Sequence, residues 1–242
     1  MEKLLTHLRA KRRRIPLEGL APQRSLPRLK SWPGLEDLTI GTATPVSLRG
    51  MKALEVGCGA GLPVLNLFLQ EKMDAVGVDL SSVQLGLAEE NTKPSPPASS
   101  CDLNRLRQCS DGYSPRGKLE LVESDMMELR YPPESFDAIV GLYSLVHLPR
   151  EEQTVFLHRA ARWLKREGLL MVNFAREEVE GEVRTGWLGQ EEGWVYFSGW
   201  GEKTVKVLEE AGLEVLEREV ADGVDGVSGL TYVWVIARKK GG

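Results

Sequence analysis

The sequence is poor in the residues that build disulfide frameworks and metal centres. Its 242 residues contain only three cysteines and three histidines, and no two cysteines form a Cys-x-x-Cys pair. Cys58, Cys101 and Cys109 are too few and too scattered for a disulfide scaffold, and no metal-ligand spacing is apparent. We therefore expect a protein without a metal centre that works in a reducing, cytoplasmic compartment.

Long apolar runs are also missing. No stretch approaches the roughly 18 apolar residues that a membrane helix needs. The segment MEKLLTHLRAKRRR at the start has neither the apolar centre nor the cleavage site of a signal peptide. We expect no membrane span. Hydrophobic residues still make up 42% of the chain, which is enough to build a buried core.

Charge is distributed unevenly along the chain. Residues 1–30 carry nine Lys or Arg against Glu2 and Glu18, a net charge of +7, which leaves −11 on the remainder of a chain whose total is −4. The basic arm could meet nucleic acid, an anionic lipid surface or an import receptor, or it could be a solvated terminus. The acidic remainder argues against a nucleic-acid-binding face. We expect an irregular, Pro-rich arm over residues 1–50 and one domain over residues 51–240.

Beyond residue 51, apolar strands alternate with helices, which indicates an α/β fold with a mainly parallel sheet covered on both faces. Helices are predicted over 63–71, from Ser81 or Ser82 to about Asn91, over 150–168 with Gly168 as the stop, and over 202–212. The strand segments are MKALEV, DAVGVDL, LELVESD (ending at Asp125), FDAIVGLYS, LLMVNFA, LEVLEREVAD and LTYVWVIARK. The loop between the last two is too short for a helical crossover, so we expect an antiparallel pair.

Two segments do not fit this alternation. Residues 92–118 are rich in Pro, Ser and charge, which is typical of a mobile insertion. Residues 175–201 are predicted to be irregular and contain a cluster of aromatic residues.

The stretch LEVGCGAGLP, residues 54–63, joins the first strand to the first helix with glycines at 57, 59 and 61. Such a loop lets a ligand contact backbone N–H groups at a helix N-terminus. The dinucleotide fingerprint G-x-G-x-x-G would require glycine at position 62, where Leu62 stands. Asp79 ends the second strand 22 residues after Gly57, where an acid binds ribose hydroxyls in more than one class of nucleotide-binding protein.

Five ordered motifs distinguish between these classes. LEVGCGAG, VGVDLS, ESDMMEL, FDAIVGLYSLVHLPREE and WLKREGLLMVNF resemble, in order, the motifs of class I S-adenosylmethionine-dependent methyltransferases that act on small molecules. The resemblance covers residues 51–91 and 119–239. It implies a Rossmann-like three-layer sandwich, whose mainly parallel seven-stranded sheet has an antiparallel last strand. It also implies S-adenosylmethionine as the cofactor and a small-molecule methyl acceptor as the partner.

The resemblance assigns roles at the methionine end of the cofactor. Gly57, Gly59 and Gly61 would let this end lie against the backbone, with Cys58 as a small loop residue between the first two glycines. Glu55 would face the cofactor ammonium, directly or through water.

Further roles follow for the nucleoside end and for the turn after the fourth strand. Asp79 would accept hydrogen bonds from both ribose hydroxyls, with Leu80 beside it at the cofactor. Asp125 would bind the adenine amino group, and the Met126 N–H would meet a ring nitrogen. Leu142 would offer backbone to the methionine part.

Methyl transfer is an in-line displacement, for which an enzyme mainly supplies orientation and exclusion of water. A hydroxyl acceptor also needs a base. His147, a few residues beyond the fourth strand, and Tyr143 near it are the candidate catalytic residues, with His147 as the base. The alternative is that His147 packs against or caps a short helix.

Trp187, Trp194 and Trp200 lie in the segment after the fifth strand. They could form a lid over an apolar, aromatic or cationic acceptor. The alternative is that they pack over the helices.

Other functions stay open at this point. A methyltransferase-like scaffold could bind the cofactor without turnover, because residues 1–50 do not show the periodicity of substrate-capping helices. A nicotinamide oxidoreductase is a third hypothesis. A nucleic acid substrate is disfavoured because GLYS follows the fourth strand where amino-methylating DNA enzymes have Asn/Asp-Pro-Pro followed by an aromatic residue. The sequence does not indicate an oligomeric state.

Overall fold

The computed structural model describes residues 48–94, 116–185, 194–222 and 231–241. The predicted basic arm, except for residues 48–50, and residues 95–115 of the predicted insertion lie outside these ranges. The described elements are β1 (Lys52–Val56), α1 (Val64–Gln70), β2 (Asp74–Asp79), α2 (Ser82–Asn91), β3 (Leu119–Glu123), β4 (Phe136–Gly141), α3 (Arg150–Trp163), β5 (Leu164–Ala175), β6 (Glu178–Thr185), β7 (Trp194–Trp200), α4 (Thr204–Glu210), β8 (Leu213–Asp222) and β9 (Thr231–Lys239).

These strands form one sheet. Strands β3, β2, β1, β4 and β5 are parallel neighbours in that order. Strand β9 lies antiparallel between β5 and β8. The seven predicted strands are all present, and the last one is antiparallel to its neighbours as predicted, but the described sheet has nine strands because β6 and β7 join it.

The segment after β5 differs from the prediction. Residues 178–185 and 194–200 form the antiparallel strands β6 and β7, and β7 meets the carboxyl end of β5 through Gly199 beside Ala175. We call this pair the β6–β7 hairpin. The prediction of an irregular segment was wrong because EVEGEVRT offers only Val179 and Val183 as apolar residues, so its alternation is too polar to predict a strand from sequence.

The end of α3 also differs from the prediction. The helix ends at Trp163, and β5 begins at Leu164, which pairs with Phe136 of β4. Ladder pairing is then interrupted and resumes with Leu169 beside Ala138. Leu164 and Phe136 are completely buried, so their tertiary contact outweighs the helix propensity of the residues before Gly168.

Two apolar layers enclose the sheet and make the predicted three-layer sandwich. On one face, Phe156 and Leu157 of α3 and Leu208 of α4 belong to the same apolar cluster as Leu54 and Val56 of β1. On the opposite face, residues of α1 and α2 pack against alternate strand residues: Val64, Leu65, Phe68, Leu85 and Ala88 contact the layer that contains Ala53 and Ala75. Within the described ranges, no helix combines the length and the apolar character needed to cross a membrane.

Candidate active site

The glycine loop that follows β1 has a backbone that only glycine adopts without strain. Gly57, Gly59 and Gly61 have φ angles of +70°, +51° and +74°, which lie in the left-handed region. The N–H groups of Gly57 and Cys58 both donate to the Val78 carbonyl, at 2.8 and 3.0 Å. The loop is therefore anchored to the end of β2 while it turns away from β1.

Neighbouring elements pack closely around this loop. A Cβ atom built on Gly57 would lie 2.5 Å from the Ser144 Cβ, and one on Gly61 would lie 3.1 Å from the Ala88 Cβ of α2. The first glycine therefore contacts the turn that follows β4, and the third contacts α2. A side chain at Gly57 would displace that turn.

Asp79 ends β2 directly beside the glycine loop. One of its carboxylate oxygens accepts the Gly59 N–H and the other accepts the Ser81 N–H, each at 2.9 Å. Burial raises the pKa of Asp79, and the hydrogen bonds from Ser81, Gly59 and Leu80 partly oppose this rise. The carboxylate therefore lies at the carboxyl edge of the sheet with both oxygens turned toward backbone donors.

Glu55 lies on β1 two residues before the loop and is only 6% exposed. It accepts a hydrogen bond from the Leu65 N–H, while its Oε2 has no hydrogen-bond partner in the described part of the chain. Burial raises its pKa well above the usual range, and the Asp79 charge adds to this rise. A buried carboxylate oxygen without a donor is costly. This position fits a ligand that brings a cationic donor.

Cys58 is buried between these two acids. Burial raises the pKa of its thiol, and the charges of Glu55 and Asp79 raise it further. A thiol that resists ionisation is a poor nucleophile. Cys58 is therefore a small side chain in the loop wall, as the sequence predicted.

Asp125 follows β3, which ends at Glu123 and not at Asp125 as predicted. Its Oδ1 accepts the Met127 N–H at 2.8 Å, so the acid stabilises its own loop. The preceding Ser124 N–H donates to the Asp79 carbonyl at 3.1 Å, which joins this loop to the end of β2. Met126 is partly buried against the α3 side of the sheet.

The turn after β4 begins with a left-handed residue. Tyr143 has a φ of +53°, which is uncommon for an aromatic residue, and its N–H donates to the Asn173 Oδ1 at 2.7 Å. Its ring makes edge contacts with Tyr232 and Trp234, with centroids 4.9 and 5.4 Å apart. Leu142, directly before it, is buried against the α1–α2 side of the sheet.

His147 ends a short 3-10 helix, Leu145–His147, and is half-buried. Its Nδ1 lies 3.0 Å from the Tyr196 carbonyl of β7. Because a carbonyl oxygen only accepts, this bond requires the proton on Nδ1, and Nε2 is then the acceptor nitrogen of the neutral ring. His147 is thus held in the tautomer that a general base with Nε2 as acceptor requires.

The family model of the methyltransferase domain matches residues 54–172, from the middle of β1 to the later part of β5. This range contains every predicted cofactor residue. The chain belongs to the class I S-adenosylmethionine-dependent methyltransferase family. The matched range ends before the β6–β7 hairpin and the last two strands.

Curated relatives and solved structures agree with this assignment. A phosphatidylethanolamine N-methyltransferase from Cereibacter sphaeroides is 30% identical over 57% of this chain and 58% of its own length. A sterol 24-C-methyltransferase from Aspergillus fumigatus is 29% identical over 42% of this chain but only 22% of its own length. Each match spans less than two thirds of the relative. A S-adenosylmethionine-dependent methyltransferase structure from Methanosarcina mazei covers 79% of this chain and 93% of its own, with 20% identity and a TM-score of 0.62.

The cofactor of this family is S-adenosylmethionine, and the residues at the sheet edge fit it. The unpartnered Oε2 of Glu55 suits the ammonium group, and the Cβ-free loop from Gly57 to Gly61 leaves room for close backbone approach. Asp79 offers carboxylate oxygens of the kind that bind ribose hydroxyls. The sequence had predicted each of these residues, and the structure brings them together.

Of the three tryptophans of the predicted lid, only Trp200 has a side chain in the described part of the chain. The Trp200 Nε1 donates to Gln153 at 2.6 Å, and Arg150 stacks over the indole at 5.2 Å, so Trp200 packs on α3, as the alternative interpretation held. Trp187 lies outside the described residues. Trp194 begins β7, and its side chain is outside the described part as well.

Two buried amides at this edge were missed by the sequence reasoning. Asn173 holds the Tyr143 N–H, and Gln153 contacts the turn that carries His147. Gln153 occupies the position of α3 that shares a buried face with Phe156, Leu157 and Ala160. A polar residue in an otherwise apolar stripe was the available signal.

Proposed function

We propose that this protein transfers the methyl group of S-adenosylmethionine to a small-molecule acceptor. One observation carries the proposal. The buried Glu55 carboxylate has an oxygen without a hydrogen-bond partner in the described part of the chain, and it lies two residues before the glycine loop. Asp79 binds this loop through the Gly59 N–H at the carboxyl edge of the sheet. This is the edge at which open α/β sheets bind their ligands. When bound, the cofactor supplies a methyl group on a positively charged sulfur, and the neutral thioether is the leaving group.

The residues of the chain mainly bind and orient. Glu55 accepts hydrogen bonds from the cofactor ammonium, which relieves the cost of a buried carboxylate. Asp79 keeps the bonds from the Gly59 and Ser81 N–H groups and accepts the ribose hydroxyls on the remaining lone pairs of its two oxygens. Asp125, held by the Met127 N–H, takes the adenine amino group, and the Met126 N–H meets the ring.

His147 acts when the acceptor is a hydroxyl. Its Nε2 takes the hydroxyl proton as the new bond to the methyl carbon forms, and the positive charge spreads over a ring whose Nδ1–H stays bonded to Tyr196. Tyr143, two residues after β4, forms part of the adjoining wall together with Tyr232 and Trp234. For a neutral amine, positioning alone supports transfer, because the ammonium product can lose its proton to solvent afterwards.

An apolar or aromatic acceptor suits these surroundings best. The wall beside His147 is aromatic, with Phe197 5.4 Å from the imidazole and Tyr143 in the same apolar cluster as Phe197 and Tyr232. The two relatives named above carry a sterol and a phospholipid amine in their names. Both molecules are largely apolar, although one is methylated on carbon and the other on nitrogen.

The test is to incubate the protein with methyl-labelled S-adenosylmethionine and fractionated cell extracts, one aqueous and one lipid. We expect one labelled product, enriched in the apolar fractions. If it is an O-methyl product, His147→Gln should lower kcat about 10²- to 10⁴-fold and leave cofactor affinity unchanged. Tight binding of S-adenosylhomocysteine with no labelled product from any fraction would overturn the transferase and leave a cofactor-binding scaffold.

A further inference from the structure

Gln153 is completely buried in the first turn of α3, and all its polar atoms are engaged. Its Nε2 lies 3.0 Å from the Leu145 carbonyl, 3.0 Å from the Leu148 carbonyl and 3.4 Å from the Ser198 carbonyl. Its Oε1 accepts the Trp200 indole N–H at 2.6 Å. One amide group therefore contacts both the turn after β4 and the β6–β7 hairpin.

The contacts with the turn lie on both sides of His147. Leu145 begins the 3-10 helix and Leu148 follows the histidine, and the Leu148 N–H closes the turn on the Leu145 carbonyl at 2.9 Å. The two shortest Nε2 contacts thus fix the short segment from which the imidazole projects. His147 lies six residues beyond the end of β4, and without Gln153 its segment would depend on packing and on the turn's own backbone bonds, from Leu148 N–H to Leu145 and from His147 N–H to Ser144.

The contacts with the hairpin lie beside the partner of His147. Ser198 and Trp200 lie two and four residues after Tyr196 on β7, and the Tyr196 carbonyl receives the His147 Nδ1–H. Arg150 adds a bond from its Nε to the Gly199 carbonyl at 2.8 Å. The first turn of α3 therefore sets the position of β7 relative to the turn after β4.

We propose that Gln153 is a positioning residue, which holds the turn and the hairpin at the spacing that keeps the Tyr196 carbonyl on His147 Nδ1. This rests on the proposed function, in which the Nε2 of His147 receives the acceptor proton. Gln153 selects the tautomer through geometry and contacts neither substrate nor cofactor. An apolar residue of similar size would fill the same space in α3 but would remove the amide donor from the Leu148 carbonyl and leave the Leu145 carbonyl only the Leu148 N–H.

The experiment compares Gln153→Met with a matched control, Trp200→Phe. Both variants remove the bond between Trp200 and Gln153, but only Gln153→Met removes the donors to Leu145 and Leu148. Imidazole nitrogen NMR of the full chain reports the tautomer without any turnover, and a His147→Gln spectrum assigns the signals. We expect the Nδ1–H form in the wild type and in Trp200→Phe, and a mixture of tautomers in Gln153→Met.

Kinetics give a second readout, on the acceptor identified for the wild type. For a hydroxyl acceptor we expect Gln153→Met to lower kcat about 10- to 100-fold, because an oriented base contributes in this range. The affinity for S-adenosylhomocysteine should change less than threefold, and Trp200→Phe should keep kcat within threefold. If Gln153→Met does not fold, Gln153→Asn, which keeps an amide but withdraws it by one methylene, is measured in the same way.

The outcomes separate this inference from the proposed function. A folded Gln153→Met or Gln153→Asn with the wild-type tautomer and wild-type kcat would overturn the positioning role. Equal losses in Trp200→Phe would overturn it too, because they would indicate a purely structural role for the buried amide. A third outcome is that the wild type shows the Nδ1–H tautomer and Gln153→Met shows a mixture, but the wild type methylates nothing. This result would support the positioning role and refute the transferase.

Discussion

The backbone N–H of Gly59 donates to the carboxylate of Asp79 at 2.9 Å, so the acid that ends β2 is bonded to the glycine loop that follows β1. This bond joins the two parts of the site to which the proposed function assigns different ends of the cofactor. Both carboxylate oxygens of Asp79 therefore have hydrogen-bond donors before a ligand binds, whereas the Oε2 of Glu55 has none in the described part of the chain. The predictions below depend on this difference between the two acids.

Gly57→Ala should weaken cofactor binding by at least about tenfold, because its new Cβ would lie 2.5 Å from the Ser144 Cβ and push the two walls of the site apart. Gly212→Ala is the matched control. Gly212 also has a positive φ, +86°, but a Cβ there would meet nothing within 4 Å. Both variants carry backbone strain of about 1–2 kcal/mol, which chemical unfolding measures. Calorimetry with S-adenosylhomocysteine should separate them, and equal affinities would contradict a role for close packing at Gly57.

Glu55→Gln should stabilise the ligand-free protein at neutral pH and weaken cofactor binding about 10- to 150-fold through loss of a charge-assisted bond. The pKa of Glu55 is raised in the folded state, so the folded protein holds more protons than the unfolded chain. Its stability therefore falls as pH rises from the usual carboxyl range through this raised value.

Urea unfolding of wild type and Glu55→Gln between pH 4 and pH 8 checks the sign of this effect. The wild type should lose stability relative to the variant as pH rises. Asp79, whose pKa is also raised, is present in both proteins, so the part of its contribution that does not depend on the Glu55 charge cancels in the difference. A difference that stays constant with pH would show that Glu55 is not desolvated.

Replacing residues 95–115 by about six Gly and Ser residues should leave the thermal midpoint within a few degrees, because the composition of this segment is unsuited to burying apolar surface. Arg116 must be kept, since it donates to the Thr92 carbonyl at 3.2 Å and to the Asn66 side chain at 2.7 Å. Gly117 must be kept as well, because a Cβ there would lie 1.6 Å from the Met73 carbonyl oxygen.

The control replaces residues 95–117, which removes these two residues as well, and its midpoint should fall further. A drop of about 10 degrees or more in the shorter replacement would show that residues 95–115 contribute to the folded core, and would refute the predicted insertion.

The sequence predicted the sheet well because its central strands are apolar runs that end in glycine or acid. Leu54 and Val56 before Gly57, and Val78 before Asp79, made both the strands and the cofactor residues recognisable. The same signal was absent from β6, where Val179 and Val183 stand among charged residues. That hairpin forms because β7 continues the sheet beside Ala175, which is a tertiary contact.

Residues whose role is to position or pack against other side chains were the hardest to predict. Glutamine is common at exposed positions of charged helices, so residue type alone does not mark Gln153 as buried. Only the fold shows that the carbonyls of Leu145 and Leu148 lie beside it. Trp200 looked equally suited to a lid and to packing, and its partner on α3 decided between them. His147 was recognised by its distance from a strand end, but its tautomer depends on Tyr196, 49 residues away.

Asp79→Ala, titrated with S-adenosylhomocysteine in a calorimeter, tests the central claim most directly. Asp74→Ala is the matched control, because Asp74 begins the same strand and its carboxylate also accepts a backbone N–H, that of Lys118 at 2.8 Å. Loss of the bonds to two ribose hydroxyls should cost about 2–4 kcal/mol. The expected result is therefore a roughly 30- to 1000-fold loss of affinity in Asp79→Ala and wild-type affinity in Asp74→Ala. Unchanged affinity in a folded Asp79→Ala variant would contradict the assignment of this site to the cofactor.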